Sequence, residues 1–132
     1  FVGDLHQPLH IGRYEDRGAN RIYVKWFGRN SNLHRVWDSE MINSHNMSYS
    51  ELALNLPNPD FLLFTEEAND FKRGDVLNWV DEIHEYTNKI YGDVSIDDKL
   101  GYEYQYKNFG TVKDLLLIGG IRLAKILNYL FD

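Results

Sequence analysis

The sequence predicts a mostly α-helical domain with a small β element, on three observations. Between Asp75 and Tyr91, the residues Val76, Val80, Ile83, Thr87 and Ile90 recur every three or four positions, the spacing of one helix face. A longer pattern of Val112, Leu115, Leu116, Leu123, Ile126, Leu127 and Leu130 marks a final helix, and Ile118 and Ile121 widen it beyond a normal stripe, which predicts burial on two sides. Over Ile22, Val24 and Trp26 the period shortens to two, giving a short strand with a buried face. The 132 residues, 43% hydrophobic and 14% aromatic, suffice for one compact domain burying about two-thirds of its unfolded surface.

Taken in order, residues 1–5 read as the last turn of a helix, and Pro8 keeps any helix from running on, leaving His10 in an extended or turning segment. Residues 11–21, rich in Gly, Arg and Asp, read as a loop, and 22–27 as the strand. Asn32 is an N-cap for a helix starting near Leu33, with Leu33, Val36, Trp37 and Met41 on its apolar face. Ser48 or Ser50 caps a short helix to about Leu56, after which Pro57-Asn58-Pro59 forces an extended turn into a linker-like patch. Asp75, following Gly74, is the expected N-cap of the next helix, and Gly92 its expected stop.

Composition excludes several functions. The chain has no cysteine, which rules out disulfides and thiolate zinc sites. Its longest apolar stretch, Leu115 to Leu123, is broken by Gly119, Gly120 and Arg122 and falls far short of the roughly 20 residues needed to span a bilayer. A net charge of -6 argues against a conventional basic nucleic-acid groove, although bound divalent cations would reverse the sign locally. Tyr23, Trp26 and Phe27 offer aromatic surface for base stacking, yet the alternation of Ile22, Val24 and Trp26 is better explained by core packing.

The chemistry concentrates in Asp4-Leu5-His6-Gln7-Pro8-Leu9-His10 and His34-Arg35-Val36-Trp37-Asp38. Residues four apart on a helix have Cβ atoms about 5–6 Å apart, so His34 and Asp38 can share a cation, with His10 the best third ligand. Two histidines, one aspartate and a position left for water form the arrangement of catalytic zinc, whereas structural zinc is closed by four ligands. Arg35 stands where the zincin pattern His-Glu-x-x-His carries its general base, so a zinc peptidase is disfavoured. His84, beside the apolar face of its helix, and His45, with no partner spacing, are read as non-ligands.

Three ordered motifs, Phe1 to His10, Asp16-Arg17-Gly18-Ala19-Asn20 and Asn32 to Ser39, resemble the signatures of the S1/P1 nuclease family, and Gly120 to Ala124 with Leu127-Asn128 resemble its last helix. The resemblance implies a multi-helix phospholipase C/P1 nuclease-like fold. It further implies a secreted or periplasmic zinc-dependent endonuclease that hydrolyses single-stranded RNA or DNA to 5′-phosphorylated products by metal-activated hydroxide and acts as a 3′-nucleotidase. Carried over by position, Asp4 is the catalytic candidate that bridges two paired zincs, while His10, His34 and Asp38 hold a third, on the side of the leaving oxygen. His6 and Asn20 take supporting or structural places, and no substrate-binding residue is assigned. Of the family's three zinc sites this chain would complete one, because the family's histidine directly before Phe1 and its further upstream ligands are not in the sequence. Residues 1–132 are thus expected to be the carboxy-terminal portion of one such domain, inactive in isolation. Ala19 departs from the usual second glycine, a source of strain if that position needs positive φ. Two alternatives are a zinc phospholipase C-like hydrolase, against which Asp38 in place of glutamate argues, and a non-catalytic zinc-stabilised helical module.

Overall fold

The computed structural model describes residues 1–57 and 71–131. A first helical turn, α1 (Val2–Leu5), leads into a 3-10 turn (Pro8–Ile11) and then a looped segment up to the hairpin of β1 (Tyr23–Trp26) and β2 (Arg29–Asn32). A helical rod follows without interruption as α2 (Leu33–Arg35), a π turn (Val36–Glu40) and α3 (Met41–Asn43). The short α4 (Tyr49–Leu54), the long α5 (Asp75–Asp93), the two-residue β3 (Lys99–Leu100) and the 30-residue α6 (Tyr102–Phe131) complete the described elements. The turn expected over Pro57-Asn58-Pro59 and the patch beyond it run into residues 58–70, outside the described residues.

The fold is mostly helical with one three-stranded sheet in the order β2-β1-β3, as predicted in class. Phe27 and Gly28 join β1 to β2, and their φ values of 47° and 80° are those of the two-residue turn that matches strand twist. β3 pairs in parallel with β1, Lys25 opposite Lys99 and Trp26 opposite Leu100. Trp26 and Val24 face the core and Tyr23 faces solvent, so the alternation of β1 serves packing. The core joins Leu9, Leu33, Val36, Trp37 and Met41 to Ile90, Tyr91, Tyr104, Phe109 and Val112, so that α5 and α6 clamp the rod and the 3-10 turn from behind.

Three expectations need correction. Gly74, not Asp75, is the N-cap of α5; Asp75 is the first helical residue, and its carboxylate accepts from Lys72 N at 2.9 Å, bracing the incoming chain. Gly92 does not stop the helix, which runs through it to Asp93 until Val94 turns extended. On α6 the expected core residues Leu116, Leu123, Leu127 and Leu130 are 42–61% exposed, and only the rows through Val112, Leu115, Ile118 and Arg122 are buried. The apolar breadth read from the sequence is real, but one of its two sides faces solvent.

Candidate metal centre

His10 closes the 3-10 turn. Pro8 opens that turn, Gln7 Oε1 caps it by accepting from Leu9 N at 2.7 Å, and the buried Thr87 hydroxyl of α5 donates to Pro8 O at 2.7 Å, anchoring it. His34 sits in the first turn after β2, where Asn32 caps the rod by accepting from Arg35 N at 2.8 Å. Asp38 lies one turn on, inside the π turn where Met41 N reaches back to Val36 O. Just beyond it, the buried Gln105 amide of α6 donates to Met41 O at 2.9 Å. Trp37 is pinned in the same turn, its Nε1 donating to Tyr104 OH at 2.9 Å.

These elements bring His10, His34 and Asp38 together: one ligand atom from each lies within 4.8 Å of the others. His10 Nε2 lies 3.2 Å from Asp38 Oδ1, and the His10 and His34 ring centroids are 5.0 Å apart. Gln7 Nε2 approaches the same carboxylate oxygen at 3.5 Å. His34 Nδ1 is 2.7 Å from Gly18 O. A carbonyl only accepts, so Nδ1 carries the proton and the Nε2 lone pair is left for a cation, the orientation that metal-bound histidines acquire from their outer partners.

The Gly18 carbonyl is aimed by an unusual loop in which Arg17, Gly18 and Ala19 have φ of 56°, 63° and 65°. A Cβ at Gly18 would come within 2.2 Å of Leu9 O, so only glycine fits there. Ala19 does take the positive φ that glycine would tolerate, and its side chain is fully buried. Asp16 Oδ1 holds the turn by accepting from Ala19 N and from Tyr91 OH, both at 2.7 Å. Burial, and then the hydrogen bond to Asp16, push the Tyr91 phenol up to about 12.

The remaining predicted positions lie around this group. Asp4, exposed on α1, is not one of the three converging residues; it lines an adjoining cavity of about 280 Å³ together with Gln7, His10, Trp37 and Asp38. His6 is buried, with Nδ1 donating to Val2 O at 2.8 Å and Nε2 accepting from Arg122 Nη1 at 3.1 Å. Arg122, buried on α6, also pairs with Glu82 and lies 4.9 Å over the Trp79 ring. Asn20 is exposed and donates to Arg17 O at 2.9 Å, closing the left-handed loop. His84 is exposed near Asn88, and His45 stacks on Phe109 at 3.7 Å; neither joins the group. Sequence reasoning passed over Gly18, Thr87, Tyr91 and Arg122 as supports. Of these Gly18 stands within one of the three motifs and Arg122 shows as a lone cation in an apolar helix stretch, whereas Thr87 and Tyr91 carry no signal.

Two imidazoles and a carboxylate, open to solvent on one side and without a thiolate, fit zinc of the catalytic type, which keeps a coordination position for water. The fold and this group define a helical domain built around a candidate divalent-metal centre. The S1/P1 Nuclease family model matches residues 1–132. "Endonuclease 2" of Arabidopsis thaliana is 35% identical over 143 residues, covering 99% of this chain and 49% of the relative. "Nuclease S1" of Aspergillus oryzae is 46% identical over 41 residues, 31% of this chain and 14% of that protein, and "Nuclease P1" of Penicillium citrinum 42% over 55 residues, 39% and 20%. The chain belongs to the S1/P1 nuclease family. It spans about half the length of the Arabidopsis relatives it matches.

Proposed function

We propose that this chain carries one complete zinc site of a secreted zinc-dependent phosphodiesterase, formed by His10, His34 and Asp38, with Asp4 as a ligand to neighbouring zinc. The substrate is single-stranded RNA or DNA, cleaved to 5′-phosphorylated products, and 3′-nucleotides lose their phosphate at the same site. The observation that carries the reading is the convergence of the three ligand atoms within 4.8 Å, with the His34 tautomer set by Gly18 O. Family membership and the nuclease names of the relatives support the reaction class. No described helix is long and apolar enough to cross a membrane.

When bound, zinc supplies concentrated positive charge at the phosphate and lowers the pKa of water toward about 7. The protein's own part is orientation. Gly18 O fixes which nitrogen of His34 is available, and the Thr87 anchor under Pro8 sets the position of His10. Gln7 Nε2 approaches one oxygen of Asp38 and orients it, and Trp37 and Leu116 lend the adjoining cavity apolar lining. No side-chain general base is required by this scheme.

Equilibrium dialysis followed by elemental analysis tests it. One tightly bound zinc per chain is expected, abolished by His34→Ala, with little turnover of single-stranded DNA by the chain alone. Zinc retained undiminished in His34→Ala would falsify the assignment, and three bound zincs would show that the ligand account is incomplete. A chain that binds its zinc but contributes nothing to cleavage when joined to the remaining length of its relatives would be the non-catalytic module instead.

A further inference from the structure

We infer that the cleft lined by Arg13, Arg17 and Arg21 is a subsite for the sugar-phosphate backbone of a single-stranded nucleic acid, receiving phosphates that flank the scissile one. The inference rests on the phosphodiesterase reading and adds to it the part of the site that holds polymer. His10 and His34 form one wall of this cleft of about 680 Å³, so it shares a boundary with the metal centre. Beyond the two histidines, its charged lining is three guanidiniums against the single carboxylate of Glu15.

None of the three arginines forms an ion pair with a described residue. Arg13 lies 4.3 Å over the Tyr91 ring, and Arg21 Nη1 donates to the Glu15 backbone carbonyl at 3.0 Å. These contacts fix the direction of two guanidiniums without neutralising them. The Arg17 side chain makes no hydrogen bond with a described residue and is exposed. The left-handed run at Arg17, Gly18 and Ala19 folds the loop back on itself, which is why arginines on both its limbs line one cleft.

In a chain of net charge -6, a local excess of unneutralised guanidinium beside the metal ligands is a feature that burial does not explain. Guanidinium forks match phosphate oxygens in pairs, and backbone contacts of this kind position a strand without reading its bases. The cleft thereby supplies the polymer affinity that the overall acidic charge denies the rest of the surface.

The test is fluorescence anisotropy of a labelled oligothymidylate with the zinc-loaded chain across a salt series. Each lost phosphate contact lowers the slope of log affinity against log salt by about 0.7, so a triple Arg13→Gln, Arg17→Gln, Arg21→Gln variant is expected to lose about 2. Arg17→Gln alone, which forfeits no described side-chain contact, loses about 0.7, and Arg17→Lys retains the parent slope. An unchanged slope in both glutamine variants, or no oligothymidylate binding by the parent chain, overturns the proposal. So does complete competition by inorganic phosphate at the same concentration of phosphate groups, which would mark an isolated anion site. Zinc content is measured on the same samples. A parent without zinc but with an arginine-dependent slope fails the metal reading alone; zinc bound with an arginine-independent slope fails the cleft alone.

Discussion

At residue scale the candidate metal group depends on a carbonyl that the proposed ligand motifs do not contain. Gly18 O sets the His34 tautomer, and the backbone reaches that position through three successive residues of positive φ. Left-handed backbone costs a residue with a Cβ about 1–2 kcal/mol, and Ala19 bears that strain while burying only one methyl group. Ala19→Gly is therefore expected to raise stability by up to about 1 kcal/mol in urea unfolding, with zinc affinity unchanged. A loss of stability would mean that methyl packing outweighs the strain. Gly18→Ala acts in the opposite sense. Its Cβ would press on Leu9 O, displacing the loop from His34, and zinc affinity measured by competition with a chromophoric chelator should fall 10- to 100-fold, the range for losing an outer partner of a metal-bound histidine.

Among the elements, those carrying local signals were legible and those relying on partners were not. Asn32 caps the rod as predicted, and Ser48, one of the two predicted candidates, caps α4, because a cap is a hydrogen bond within three residues. The His34 and Asp38 pair was readable from spacing, but the π turn that contains Asp38 was not, and the residues that pack on it, Tyr104 against Trp37 and Gln105 against Met41, come from α6, over sixty residues away. β2 escaped notice because Arg29, Asn30, Ser31 and Asn32 include no apolar residue to show a period, and β3 is two residues held by parallel pairing to β1. The 3-10 turn bearing His10 was readable from Pro8 as a break, but its anchor was not, because Thr87 fits the apolar row of α5 as though it were valine. Thr87→Val tests that anchor. It keeps the shape, leaves Pro8 O buried without its donor, and is expected to destabilise by about 1–3 kcal/mol in denaturant unfolding. It should also weaken zinc binding through His10, whereas an isosteric substitution elsewhere on α5 should not.

For the whole molecule, stability and the site share the same tyrosines, and alkaline pH is where this shows. Tyr91 braces the Asp16 loop from α5, and Tyr104 of α6 accepts from Trp37 inside the rod. Burial is the leading cause that pushes each phenol up to about 12, in Tyr91 reinforced by Asp16. An unfolded tyrosine ionises near about pH 10. Because the folded state resists losing these protons, their contribution is fully present below about pH 10 and is lost as pH rises toward 12, where the unfolded chain releases protons that the folded chain still holds. The urea midpoint should thus be flat with respect to these groups up to about pH 10 and fall above it. Phenolate absorbance should show most of the nine tyrosines titrating first, with Tyr91 and Tyr104 ionising only as the chain unfolds. Tyr104→Phe removes one of the two groups, so the fall above pH 10 should be shallower in that variant even though its midpoint at neutral pH is lower from loss of the Trp37 partner. If every tyrosine ionises near pH 10 while the chain remains folded, the two phenols are not held by burial and the link between core and loop fails.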